Sequence, residues 1–184
     1  VPEIPALRNE FADFLFSKGE QEAALDELRL AFSLEPSAKN ALAFLNGLFR
    51  VKKWDMAMKS GEGYLLQFGH DVPLLKQMAL LYEKLDNTDK AISIYRHLIA
   101  DNPEDFSIYL SFAGFYRNRG QYSEAISLMA EAIQHMPENE SLYYALDELY
   151  YAVHKNKEAI NSLEALLQYR PDDAEIYYRI ASNY

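Results

Sequence analysis

The chain has 184 residues, 49% of them apolar, and carries a formal net charge of −10 from 18 basic and 28 acidic residues. This acidic balance disfavours sequence-independent binding to nucleic acid, because such binding depends on Lys and Arg to neutralise phosphates. Cysteine is absent, which excludes disulfides and thiol chemistry and leaves a cytoplasmic and a periplasmic location both open.

The sequence predicts a series of helix pairs, of which residues 5–38 and 39–71 form the first two. In each half of these segments, apolar residues recur at helical spacing. Pro36 ends the first pair, because proline has no amide hydrogen to donate. The second pair is less regular: no proline closes it, and Gly61 and Gly63 fall inside its second helix, where each costs about 1 kcal/mol relative to alanine. We interpret this pair either as a bend in the stack or as the result of neutral drift.

The pattern is clearest in residues 106–139. Tyr109 and Tyr116 lie on one face of the predicted first helix. Gly120 supplies the positive φ that ends this helix, and Pro137 stops the second one. Further pairs are predicted at 72–105 and 140–173, and the first helix of another pair at 174–184.

Four features recur in phase along these segments. An alanine opens each second helix, two large apolar residues lie in each first helix, and a proline closes most pairs, with spacings of 33 or 34 residues within each full period. Repetition at such a period indicates a stack of supersecondary units that bury a continuous core. The alanines are Ala24, Ala57, Ala91, Ala125 and Ala159; the prolines are Pro36, Pro103, Pro137 and Pro171; the apolar positions are Leu15, Phe49, Tyr82, Tyr116, Tyr150 and Tyr184, and Phe11, Leu45, Met78, Phe112, Leu146 and Ile180.

These ladders, together with the turn from Gly120 to Ala125, resemble the tetratricopeptide repeat family. The resemblance implies an all-α fold, a right-handed α-solenoid of antiparallel helix pairs that forms a single array over residues 1–184. We expect this array to be a fragment of a longer protein, because the chain starts at Val1 without an initiator Met and its last repeat has no second helix. The repeats are expected at about 5–38, 39–71, 72–105, 106–139 and 140–173, with a partial repeat at 174–184.

The resemblance also implies where a partner binds, because in this family the first helix of each repeat lines a concave groove. One stripe of each first helix then faces the core and the neighbouring stripe faces the groove. This arrangement explains three tyrosine doublets, in which we expect the first member to be buried and the second to be exposed. The doublets are Tyr143-Tyr144, Tyr150-Tyr151 and Tyr177-Tyr178, and the predicted partner-binding residues are Lys76, Leu80, Leu110, Arg117, Tyr144, Glu148, Tyr151 and Tyr178.

Two departures from the family pattern bear on this site. The carboxylate clamp that some members use to hold a peptide C-terminus needs Lys and Asn together, but Lys76 has Leu80 in the Asn position and Arg179 stands alone more than two repeats away. Capture of an acidic chaperone tail is therefore not expected. Asp147 replaces a small residue of the fifth repeat, which predicts looser packing there.

The sequence offers no pattern for catalysis, a cofactor or a metal. None of the four histidines has another His or a Glu at metal-ligand spacing. The segment from Gly61 to Gly63 lacks the Gly-Lys-Ser/Thr of a phosphate-binding loop. We therefore predict a protein without enzymatic activity, cofactor or metal.

The leading functional hypothesis is a non-catalytic scaffold that binds a protein or peptide partner in the groove, with no role in nucleic-acid binding or membrane insertion. A second hypothesis is the repeat region of a bacterial envelope or exopolysaccharide-export machine, which recruits a modifying enzyme or guides a polysaccharide. A third is the accessory region of an enzyme whose catalytic domain lies outside this chain. The sequence does not identify the partner.

Overall fold

The computed structural model describes residues 4–184, and every regular element within them is an α-helix. The prediction of an all-α fold built from helix pairs is confirmed. First helices (odd numbers) alternate with second helices (even numbers) along the chain. The eleven helices of the described residues are α1 (Pro5–Ser17), α2 (Gln21–Leu34), α3 (Ala38–Arg50), α4 (Trp54–Phe68), α5 (Val72–Lys84), α6 (Thr88–Asp101), α7 (Phe106–Asn118), α8 (Tyr122–His135), α9 (Glu140–Ala152), α10 (Asn156–Leu166) and α11 (Ala174–Ser182).

A polar side chain caps the N-terminus of each first helix from α3 onward. Ser37, for example, accepts a hydrogen bond from the amide of Asn40, and Asp105 accepts one from the amide of Ser107. Such a cap satisfies an amide that has no partner inside the helix and contributes about 1 kcal/mol. The caps fall at the same point of every period. They are Ser37, Asp71, Asp105, Asn139 and Asp173.

Tight turns join the two helices of each pair, and one residue in each turn has a positive φ. The predicted role of Gly120 is confirmed by its φ of 73°. Three of the five positions that have this backbone within residues 4–184 are not glycine, although a positive φ is costly for most side chains. The positions are Gly19, Lys52, Asp86, Gly120 and His154.

Small residues let neighbouring helices approach each other closely. The five alanines of the ladder are all completely buried. Gly61 has the same role in the irregular second pair, because a Cβ atom placed there would lie 2.2 Å from Sδ of Met78. Helix α4 runs unbroken through this glycine. Gly61 therefore has a packing role, whereas a Cβ atom at Gly63 would meet open space.

The helices form two compact units, one that ends at Ile94 and a second that comprises Tyr95–Tyr184. In the second unit, aromatic rings fill the core: Phe112 stacks on Tyr95 with ring centroids 4.8 Å apart and on Tyr116 at 4.5 Å. No helix among residues 4–184 has both the length and the hydropathy needed to cross a membrane.

Candidate partner-binding site

The first helices of the second unit, α7, α9 and α11, carry six of the eight predicted partner-binding residues. Asp105, Asn139 and Asp173 cap these helices and so fix where each begins. Residues with the same spacing from their cap therefore take equivalent places on successive helices. The six residues are Leu110 and Arg117 on α7, Tyr144, Glu148 and Tyr151 on α9, and Tyr178 on α11.

Two adjoining cavities contain these six residues. The first, of about 440 Å³, is lined by α7 and α9 and by Arg179 of α11. The second, of about 340 Å³, is lined by α9 and α11. Glu148 and Arg179 line both cavities, so the two are neighbours. Leu110, Arg117, Tyr144 and Glu148 line the first, and Glu148, Tyr151 and Tyr178 line the second.

The remaining two predicted residues, Lys76 and Leu80, lie on α5 in the first unit. Lys76 is half-buried and Leu80 is exposed. Neither residue lines the two cavities described above.

Arg179 joins the parts of the site that come from α9 and α11. Its Nη1 lies 3.2 Å from Oδ2 of Asp147, and its Nε lies 2.8 Å from Oε1 of Glu175. Its guanidinium also lies over the ring of Tyr144, with Cζ 4.3 Å from the ring centroid. These partners are acidic or aromatic, so they do not complete a carboxylate clamp. The sequence analysis did not consider the contact with Asp147, which is 32 residues away and beyond the reach of a pattern within one helix.

Asp147 makes a second bond, to a residue just beyond the end of α11. Nδ2 of Asn183 donates to Oδ1 of Asp147 at 2.7 Å, and the two residues are 5% and 6% exposed. A buried carboxylate is tolerated when a cation and hydrogen bonds compensate its lost hydration. Asp147 was expected to loosen its repeat, but instead it bonds α9 to α11 and the residue that follows it.

The tyrosine doublets follow the predicted alternation only in part. Tyr143 is buried as expected but Tyr144 is half-buried, and Tyr151 is 63% exposed as expected but Tyr150 is half-buried. The prediction is wrong for Tyr177, which is 52% exposed although we expected it in the core. The reason is that no second helix follows α11 within residues 4–184 to cover this ring.

Charges of both signs surround the site. Nη1 of Arg117 lies 3.8 Å from Oε2 of Glu148, with about half of each side chain exposed, and such a pair contributes little to stability. Burial raises the pKa of Tyr144, and the carboxylates of Asp173 and Glu140 raise it further. Its phenol therefore stays neutral at pH 7 and can donate a hydrogen bond. The site offers aromatic surface, neutral donors and exposed charges rather than a nucleophile paired with a base.

One histidine has an acidic neighbour that the sequence analysis overlooked, because it considered only His and Glu. Nε2 of His97 lies 3.6 Å from Oδ2 of Asp101, one turn further along α6. Both side chains are about half exposed.

Comparison with known proteins identifies the family. Two family models described as tetratricopeptide repeat match residues 76–140 and 117–182, and together they span residues 76–182. No curated protein matches the chain.

Three solved structures illustrate the similarity of fold. A tetratricopeptide repeat protein from Parabacteroides merdae has a TM-score of 0.66 at 20% identity, covering 98% of this chain and 72% of that one. The thermophilic tetratricopeptide repeat protein TTC0263 of Thermus thermophilus has a TM-score of 0.60 at 17% identity, covering 97% and 98%. YrrB, described as a tetratricopeptide repeat protein with an unusual peptide-binding site, has a TM-score of 0.57 at 21% identity, covering 96% and 91%.

Proposed function

Because the chain belongs to the tetratricopeptide repeat family, we propose that it is a non-catalytic scaffold that binds a peptide segment of a protein partner across α7, α9 and α11. Repeats of this family generally mediate interactions between proteins, since stacked helix pairs create extended binding surfaces. The peptide lies along the two adjoining cavities and contacts Leu110, Arg117, Tyr144, Glu148, Tyr151 and Tyr178.

The observation that carries this proposal is that two aromatic rings of the candidate partner-binding site are exposed. Tyr151 and Tyr178 are 63% and 69% exposed and line the same cavity as the ion pair of Arg179 and Asp147. Tyrosine and arginine are enriched among the residues that contribute most to protein interfaces, because they combine apolar contact area with hydrogen bonding. Two exposed rings beside a fixed guanidinium suit a peptide with apolar side chains and a backbone available for hydrogen bonding.

The similarity of fold to YrrB supports a peptide as the ligand, since YrrB is described as having an unusual peptide-binding site. The identity of 21% leaves the position of the site to be argued from this chain's own residues. Binding that extends to Lys76 and Leu80 of the first unit stays a prediction.

A displayed library of random 12-residue peptides, selected on the wild-type chain, tests the proposal. The affinity of each selected peptide is then measured by fluorescence polarisation on the wild type and on Tyr151→Ser/Tyr178→Ser. We expect the selection to yield peptides whose affinity for the double variant is at least about tenfold lower than for the wild type. Buried aromatic contacts of this kind are worth more than about 1 kcal/mol each.

Tyr184→Ser is the matched control, because this tyrosine is 91% exposed and lines neither cavity. It makes the same chemical change and should leave the affinity unaltered. Equal binding to all three proteins would place the peptide elsewhere. If no peptide is selected but an acidic or neutral polysaccharide binds and is lost from the double variant, the polymer-guiding hypothesis replaces this one.

A further inference from the structure

A third cavity in the second unit, of about 700 Å³, lies on a different face of α7. Here α7 contributes Tyr109, Phe112 and Tyr116, whereas it contributes Leu110 and Arg117 to the candidate partner-binding site. Its walls come from α6 and α8, the second helices of two consecutive pairs, and it has no lining residue in common with the candidate site. A ligand of this cavity would therefore bind independently of the proposed peptide.

The floor of the cavity contains a buried hydroxyl group without a partner. Tyr109 is completely buried, and its phenol oxygen has no hydrogen-bond partner among residues 4–184. The equivalent tyrosines of the next two repeats are paired: Tyr143 donates to the carbonyl oxygen of Pro137 at 3.0 Å, and Tyr177 donates to that of Pro171 at 2.9 Å. Buried polar groups are almost always hydrogen-bonded in folded proteins. The hydroxyl group of Tyr109 therefore has hydrogen-bonding capacity that no described residue uses.

The charges on the α8 wall indicate which kind of molecule this is. Glu124 and Glu131 lie two turns apart on the wall, with the hydroxyl group of Ser127 between them. Neither carboxylate forms an ion pair within the part of the chain that the structure describes. Burial raises the pKa of Tyr109, and the negative charge of Glu131 raises it further. Arg96 lines the α6 wall, so two carboxylates face one guanidinium in this cavity.

We propose that this cavity is a second binding site, which takes an arginine or lysine side chain from a peptide segment. The phenol oxygen of Tyr109 accepts a hydrogen bond from the cationic group, and Glu131 neutralises its charge. The apolar stem of the side chain packs on the aromatic floor, as long basic side chains do. A volume of about 700 Å³ accommodates the side chain together with the backbone on either side of it.

An acidic ligand is the competing occupant. It would receive hydrogen bonds from Arg96 and from Tyr109, since a phenol can also donate. It would, however, have to enter past Glu124 and Glu131, which are both exposed on the α8 wall, and like charges repel each other. A basic side chain is attracted by the same two carboxylates, so the α8 wall favours it.

Nuclear magnetic resonance of the ¹⁵N-labelled chain tests the proposal with three blocked tripeptides: acetyl-Ala-Arg-Ala-amide, acetyl-Ala-Lys-Ala-amide and acetyl-Ala-Glu-Ala-amide. We expect the two basic probes to shift the amide signals of α6, α7 and α8 saturably, and the acidic probe to leave them unchanged. On Tyr109→Phe and on Glu131→Gln, the affinity for the arginine probe should fall by about tenfold, because a hydrogen bond to a charged group contributes about that factor.

Tyr143→Phe is the control, because it removes the same hydroxyl group from the next repeat, where Pro137 already satisfies it. This variant should bind the arginine probe as the wild type does. Binding of the acidic probe at these helices, the absence of shifts with both basic probes, or unchanged affinity on Tyr109→Phe would each overturn the proposal. None of these results depends on Tyr151 or Tyr178, so the two sites are tested separately.

Discussion

The phenol of Tyr143 donates a hydrogen bond to the carbonyl oxygen of Pro137 at 3.0 Å, and so ties α9 to the end of the preceding repeat. Tyr177 and Pro171 repeat the bond one period later at 2.9 Å. Tyr109 has the same spacing from Pro103 but lacks any hydrogen bond within residues 4–184. The contrast gives a direct test of what the hydroxyl group contributes in each repeat.

We expect Tyr143→Phe to lower the free energy of unfolding by about 1 kcal/mol, because it removes a satisfied hydrogen bond and leaves the carbonyl oxygen of Pro137 without it. Tyr109→Phe should be neutral or slightly stabilising, since it removes a buried hydroxyl group that has no partner in the described chain. Urea denaturation followed by circular dichroism measures both. A loss of stability in Tyr109→Phe as large as that in Tyr143→Phe would contradict this interpretation.

The two glycines of α4 should respond to alanine in opposite directions. Gly61→Ala places a Cβ atom 2.2 Å from Sδ of Met78, whose side chain is fully buried and has little room to move. We expect overpacking of about 2–3 kcal/mol, which outweighs the gain of about 1 kcal/mol in helix propensity. Gly63→Ala meets open space and should stabilise the chain by about 1 kcal/mol. Thermal unfolding of the two variants distinguishes them, and the loss of stability in Gly61→Ala/Met78→Ala should be smaller than the sum of the two single losses.

Removal of Asp147 should destabilise the second unit, because it leaves Arg179 and the amide of Asn183 without their shared carboxylate. We expect Asp147→Ala to cost about 2 kcal/mol, less than for a fully buried pair because Arg179 is partly exposed. Glu175→Ala removes a more exposed partner of the same guanidinium and should cost less than about 0.5 kcal/mol. Urea denaturation measures the free energy of unfolding of both variants. Equal losses would show that Asp147 contributes no more to stability than Glu175.

The Arg179→Met change provides a further check on this pair. Combined with Asp147→Ala, it removes a cation that has already lost one of its two carboxylates, so the loss in the double variant should be smaller than the sum of the two single losses. A double variant whose loss equals the sum of the two single losses would indicate that the residues do not interact.

The stability of the first unit should depend on pH through Glu62. The hydrogen bond from Lys90, at 2.8 Å, and the charge of Lys90 lower the pKa of Glu62 below its ordinary value of 4.5. A lowered pKa in the folded state means that this contribution is present above pH 4.5 and is lost as the pH falls through the folded-state pKa. The urea midpoint of the wild type should therefore fall more steeply with acidification than that of Glu62→Gln. Solvent screening makes this effect small, because Glu62 is half exposed. Parallel pH profiles of the wild type and Glu62→Gln would contradict the proposed role of Glu62.

The helix pairs were predictable because the information that defines them is local. The alanine ladder and the apolar stripes repeat within each period, and a residue such as Gly120 signals its turn by itself. The sequence analysis did not identify the capping residues as a ladder, because Ser37, Asp105 and Asn139 differ in type although they occupy one position. The partners of Asp147 and the unpaired hydroxyl of Tyr109 depend on contacts between helices. Such contacts are set by how the helices pack, and no pattern within one helix reveals them.

The cap ladder has a consequence for how this chain changes over generations. The repeats from the second to the fifth each have their own cap and their own turn, so the bonds that begin and end their helices are made within about one period of sequence. A gene segment that encodes one whole period can be copied or lost, and the new junction still joins a closing turn to a capping residue in the correct register. An insertion between a capping residue and the first turn of its helix would instead separate the cap from the amide that it bonds. Selection on such a chain therefore acts on the number of whole repeats as well as on single residues.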